Sequence, residues 1–214
     1  MPTQHYQKPI ERDQQLKSMG LSHAVLAEAF EYGAREHATC TDNDPPGAAN
    51  TMVYFRTTRR LRELLGVYGW EKCNQDNQAS VVNRDLGLRI VVTTFDDALG
   101  NPDKQPKNRN EKRSAAEKRV RCNKTGWLPG LPAPQLEDVS KDSLQTWILA
   151  VHVGEEDVKA ELLLPLNCLG GIYCEFDSRI YLTGPSSEPF GEEAESASGP
   201  DDGFPEIEID VSPL

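Results

Sequence analysis

The chain has 214 residues and a net charge of −11, and its 37% of hydrophobic residues falls below the roughly 45–50% of ordinary globular proteins, so some of it is expected to lie outside a single packed domain. No run nears the roughly 20 apolar residues of a membrane span, and the polar start MPTQHYQKPIERDQQLKS has no apolar secretory core, which argues against a membrane or secreted protein and for a cytoplasmic one. The five cysteines (Cys40, Cys73, Cys122, Cys168, Cys174) are odd in number and without staple spacing, as expected of reduced thiols.

The elements follow in chain order. Gln7 to Met19 suits a short helix. Ser22 is a suitable N-cap, and Val25, Leu26, Ala29, Phe30 and Ala34 recur at helical spacing, predicting an amphipathic helix over His23–His37. CTDNDPPGAAN is a loop by composition. A second helix is expected from Thr51 to about Gly66, with Met52, Phe55, Leu61, Leu64 and Leu65 as its apolar stripe. The period then changes: ASVVN, a turn at Arg84–Gly87, and LRIVVTTF form a β-hairpin rich in Val, Ile and Thr.

From Asp96 to about Ser143 apolar periodicity fades. NEKRSAAEKRVRCN favours a short helix with too few apolar residues to bury well, and WLPGLPAPQ is a proline-rich extended loop at about 128–135. TWILAVHV and VKAELLLPL, joined by GEED, form a second hairpin, and GGIYCEF and RIYL follow as further strands, with Ile172, Cys174 and Phe176 alternating against Tyr173 and Glu175. The expected fold is α+β: N-terminal helices packed on a mainly antiparallel sheet of about five strands over residues 1–184. No strand–helix–strand alternation is evident, which argues against a doubly wound sheet.

Charge divides the chain. Residues 185–214 hold nine acids and no Lys or Arg, so this tail carries −9 of the net charge, and residues 1–184 carry the remaining −2. Its Pro, Gly, Ser and Glu predict disorder, although FPEIEIDV alternates as an edge strand would. A basic, flexible insertion at about 102–124 sets nine Lys and Arg against three acids, a balance of +6. Within it Lys112, Arg113, Lys118, Arg119 and Arg121 are candidate phosphate contacts, joined by Arg56, Arg59 and Arg60 at i, i+3 and i+4 on the second helix.

Other chemistry is thin. No phosphate-cradling glycine motif, nucleophile elbow or CxxC pair occurs, and no cofactor is expected. His37-x-x-Cys40 has metal-like spacing, with His23 or Cys73 to complete it, but a histidine at a helix C-terminus is ordinary, and no metal site is expected. A magnesium-dependent nuclease would need an acid and an acid-x-Lys on adjacent strands; Asp96, Asp97, Glu155, Asp157 and Glu161 are the available acids, and Asp157-Val158-Lys159 sits at a turn. Cys168 or Cys174 would need His152 to act as a nucleophile.

The runs GWEKCNQDNQASVVNRDLGLRIVV, TWILAVHVGEEDVKAELLLPL and GGIYCEFDSRIYL resemble small uncharacterised proteins of plasmids, prophages and integrative elements, over roughly Met52 to Leu182. The resemblance implies a mobile-element accessory protein and transfers no catalytic residue. The expected function is therefore non-enzymatic binding of nucleic acid or of a basic nucleic-acid-processing protein, an anti-defence inhibitor included. The alternatives are a metal-dependent nuclease-like hydrolase and a structural subunit that pairs through a sheet edge.

Overall fold

Local chemistry sets the first layer. Ser22 sits extended (φ −130°, ψ 151°) and its hydroxyl accepts from the Val25 amide at 3.3 Å, starting the helix over His23–His37 where the sequence places it. In the computed structural model, which describes residues 2–112, 114–125 and 144–184, this helix is α2; α1 spans Pro9–Ser18 before it and α3 spans Ala48–Gly66 after it. Helices α2 and α3 pack closely because Gly33 has no side chain: a Cβ there would overlap the Thr57 hydroxyl and meet the Val53 carbonyl at 2.9 Å. Arg56–Glu36 at 3.0 Å and the Arg60–Glu28 pair bridge the two helices along their solvent edge.

The buried stripe of α3 is Val53, Thr57, Leu61 and Leu65 at a spacing of four, whereas Phe55 is 56% exposed. The expected stripe took the larger Phe55 over the smaller Thr57. The position beside Gly33 has no room for an aromatic ring, so Thr57 faces inward.

The sheet has seven strands: β1 Gln4–Tyr6, β2 Glu71–Cys73, β3 Ser80–Asn83, β4 Leu88–Thr94, β5 Gln145–Val153, β6 Val158–Leu169 and β7 Ile172–Tyr181, in the order β1-β7-β6-β5-β4-β3-β2. It is mixed, which corrects the expectation of about five mainly antiparallel strands. β1 runs parallel to β7, and β4 runs parallel to β5; the other neighbours are antiparallel. The added strands are three-residue edges whose few apolar side chains gave no period to read.

A strand–helix–strand unit is present after all. β4 leads through the 95–113 segment and helix α4 (Ser114–Thr125) into parallel β5. It was hidden because, among its described side chains, α4 buries Arg119 and Asn123 alongside only Ala116 and Val120. Asn123 sits at 2% exposure, and its amide donates to the Thr146 and Pro165 carbonyls at 3.0 and 2.7 Å while accepting from the Thr146 amide at 2.8 Å. A polar-looking helix is thus well buried.

Two cores result. The first lies between the sheet and α1–α3 and is built from side chains such as Ile90, Val92, Leu149, Val151, Leu162 and Ile180. The second, under α4 and the 95–112 segment, holds Val91, Phe95, Leu99, Ile148 and Leu163. Past an irregularity between Leu164 and Pro165, the end of the β6–β7 hairpin adds Cys168, Tyr173 and Phe176 to this second core. Glu175 has a left-handed φ of 55°, which breaks the period of β7. Tyr173 and Phe176 therefore both face inward, at 1% and 5% exposure, and not Ile172 and Cys174 as simple alternation predicts.

Charge is buried on the second face. Glu161 and Arg179, 0% and 3% exposed, form a two-pronged pair, Nε to Oε2 and an Nη to Oε1, both at 2.8 Å. Arg179 also donates to the Lys104 and Asn101 carbonyls at 2.8 and 3.1 Å, and the Gly100 amide donates to Glu161 at 2.5 Å. The pair thereby pins the 100–104 loop onto the sheet. Tyr181 stacks on the same guanidinium, and burial pushes its phenol up to about 12.

The proline-rich loop, Arg113 and the acidic tail lie outside the described residues.

Candidate nucleic-acid interface

The predicted basic residues do not form one surface. Arg56, Arg59 and Arg60 stand on α3, on the first face of the sheet, while Lys112, Lys118, Arg119 and Arg121 belong to the layer on the second face. Arg113 lies outside the described residues.

The two groups differ in what they touch. On α3, Arg56 pairs with Glu36, Arg59 with Glu63 at 2.8 Å, and Arg60 with both Glu28 and Glu63. The hydrogen bond that Arg59 donates to Glu63 raises its pKa, and those that Arg60 donates to Glu28 and Glu63 raise that of Arg60. Arg62 extends no stripe either: it donates to the Cys73 and Ser80 carbonyls, at 2.9 and 3.2 Å, and fastens α3 to the strand edge. The expected positive stripe is a zipper of neutralised charges.

The second-face layer contrasts with it. Lys104 and Lys107 on the loop, and Lys118 and Arg121 on α4, are exposed and make no ion pair with any described residue. Sequence reasoning placed Lys104 and Lys107 in the basic insertion without singling them out, since only the burial of Arg119 shows which cations are left for a partner. Arg119, 7% exposed, is a structural strut: it donates to the Gln75 carbonyl at 2.7 Å, to Asp76 at 3.3 Å and to the Gln78 side chain. Lys112 is half-buried, and desolvation lowers its pKa.

Candidate acids are scattered. Glu161 is locked to Arg179, Asp157 pairs with Lys159 at 3.1 Å, and Asp96 accepts from the Lys107 amide at 3.1 Å. Among the described residues no three His, Cys, Asp or Glu side chains gather as a metal site. His37 and Cys40 line an open cleft of about 790 Å³ between α2, the 38–47 loop, the start of α3 and the β5–β6 hairpin, together with Asp42, Glu155 and Asp157. His23 instead bonds the Leu182 carbonyl at 2.7 Å, and Cys73 is on β2, so the four are not brought together.

The thiol reading fares no better. Burial pushes Cys168 up to about 11, away from a thiolate, and His152 pairs with Lys159 near the opposite end of β6, its Nδ1 facing the Phe95 carbonyl and Arg109.

No helix among the described residues is long and apolar enough to cross a membrane. No protein-family model, curated protein or solved structure matches this chain.

Proposed function

We propose that the chain is a non-enzymatic binding protein that engages nucleic acid through its second-face layer, with Lys104, Lys107, Lys118 and Arg121 on phosphates. In that role it serves a mobile element, as the sequence resemblance implies, acting on the nucleic acid itself or within a processing complex. The observation that carries this reading is the division of ion pairing. Cations on α3 are already matched by glutamates, while the exposed cations around α4 meet no carboxylate among the described residues. A cation with no carboxylate at hand keeps its full attraction for a phosphate and releases counterions when it binds one.

The test is fluorescence anisotropy of labelled duplex DNA and RNA with the full chain, across salt. The variant K104E/K107E/K118E/R121E should lose most affinity, and its log–log salt slope should shrink by about 0.9 for each phosphate it no longer neutralises. R56Q/R59Q/R60Q should bind as the parent does. Equal losses in both variants, or no binding by the parent at low salt, would refute the reading. The hydrolase alternative gains nothing from the placement of its acids.

A further inference from the structure

A second cavity lies beside this layer. β3 pairs with β4 only as far as Ile90, so from Val91 to Thr93 β4 has no strand on that side. A cavity of about 360 Å³ opens there, with Val91, Val92 and Thr93 as its floor. Tyr54 of α3 lines it from one layer, Lys112, Ala115 and Ala116 at the start of α4 from the other, and the turn at Asp76–Gln78 closes it.

Three features point to a ligand. First, the turn is strained: Asp76 and Asn77 are consecutive non-glycine residues with left-handed φ of 56° and 57°. Such strain persists only where the surroundings enforce it, and the buried Arg119 does so through its bonds to Gln75, Asp76 and Gln78. Second, Lys112 is sheltered in the wall yet makes no ion pair with any described residue, although Asp76 and Glu111 line the same cavity. Its backbone is fixed by a 2.9 Å bond to the Gly171 carbonyl, and Gly171 is so close that a Cβ there would come within 2.6 Å of the Lys112 oxygen. Third, the cavity joins unlike walls: Tyr54, the exposed Asn77, and Ala115 and Ala116 of the first turn of α4.

A lysine next to the first turn of a helix suits a phosphate; an aromatic side chain with a side-chain amide suits a flat base. We propose that this cavity binds a single nucleotide unit, its phosphate toward Lys112 and its base between Tyr54 and the Asp76–Gln78 turn. The unit comes either from a single strand or from a free mononucleotide. The strand as a source rests on the function proposed above; the free mononucleotide does not.

The test titrates the full chain with adenosine 5′-monophosphate, adenosine and inorganic phosphate by calorimetry. It also compares labelled single-stranded with duplex oligonucleotides by anisotropy. Lys112→Met removes the charge but keeps the stem, and Ala115→Trp fills the space. The monophosphate should bind at least tenfold more tightly than adenosine, and each variant should lose at least tenfold. A strand source predicts that the parent prefers single strands and that Ala115→Trp abolishes the preference; a free-nucleotide source predicts monophosphate binding with no strand preference. K118E/R121E should weaken all oligonucleotides alike and leave the monophosphate untouched. If that variant changes nothing while Lys112→Met does, the broad basic face fails and the cavity stands. If Lys112→Met and Ala115→Trp bind monophosphate and single strands as the parent does, the cavity proposal is overturned.

Discussion

The two faces of the sheet are built on different terms. Toward α2 and α3, the central strands present Ile90, Val92, Leu149, Val151, Leu162 and Ile180, and charge is kept to the outer edge of the helices as Arg–Glu pairs. Toward α4, the buried ionisable side chains of the strands face inward with the apolar ones: Arg89, His152, Glu161 and Arg179. The first face is held by apolar burial and close helix packing; the second adds to its own apolar core charged and amide side chains that fasten loops. A layer fastened that way can carry exposed cations that pair with no described carboxylate and are not themselves needed for packing, and the proposed phosphate-binding residues are those.

The largest expected effect separates the faces directly. Glu161→Ala leaves the Arg179 guanidinium buried without its carboxylate and frees the 100–104 loop, and should cost about 3–5 kcal/mol in denaturant unfolding. Removing a first-face pair by Arg60→Ala should cost no more than about 1 kcal/mol, because Arg60 and its glutamates are solvated. Similar losses from both would erase the distinction.

Asn123→Ala comes next, on the order of 3 kcal/mol, because one side chain meets three backbone groups around Thr146 and Pro165 that would otherwise be buried unpaired. A loss below about 1 kcal/mol in the same unfolding measurement would mean that water replaces the amide. The comparable probe of the first face is Gly33→Ala. Its methyl would press on the Val53 carbonyl as well as the Thr57 hydroxyl, and overpacking of this kind costs about 1–3 kcal/mol.

The same contrast explains what could be read from the sequence. The first face was legible: His23–His37 was placed to the residue, α3 to within three residues at its start, and strands β3 to β6 nearly in full, because apolar side chains recur there at the period of their element. The second face was legible only in part: a short helix was expected over 110–123 and forms at Ser114–Thr125, but its burial was not expected. Its helix buries Arg119 and Asn123, its β7 shifts phase at the left-handed Glu175, and its connection from β4 to β5 follows polar residues that are buried only because other parts of the chain meet them. The candidate cations show the same limit: spacing put Arg56, Arg59 and Arg60 on one helical stripe with Glu63 beside them, but two further neutralising partners, Glu28 and Glu36, lie on another helix.

The smallest expected effect is the dependence of stability on pH. The pKa values of His5 and His37 are both lowered from the ordinary histidine value, chiefly because partial desolvation disfavours the charged ring. Arg179 adds to this at His5, and Arg109 and His152 add to it at His37. A lowered pKa in the folded chain means that the unfolded chain takes up these protons first. The contribution of neutral His5 and His37 is therefore complete above the unfolded value of about 6.5 and is lost as pH falls from there toward the lower folded values. His5 also bonds the Tyr181 hydroxyl at 2.8 Å, and Tyr181 covers Arg179, so its protonation acts at the rim of the Glu161–Arg179 anchor. Urea melts at pH 7.5 and 5.5 should show the parent less stable at the lower pH and His5→Phe with a shallower decline. An unchanged decline would assign the loss to His37, at the cleft on the first face, and leave the second-face anchor insensitive to protons in this range.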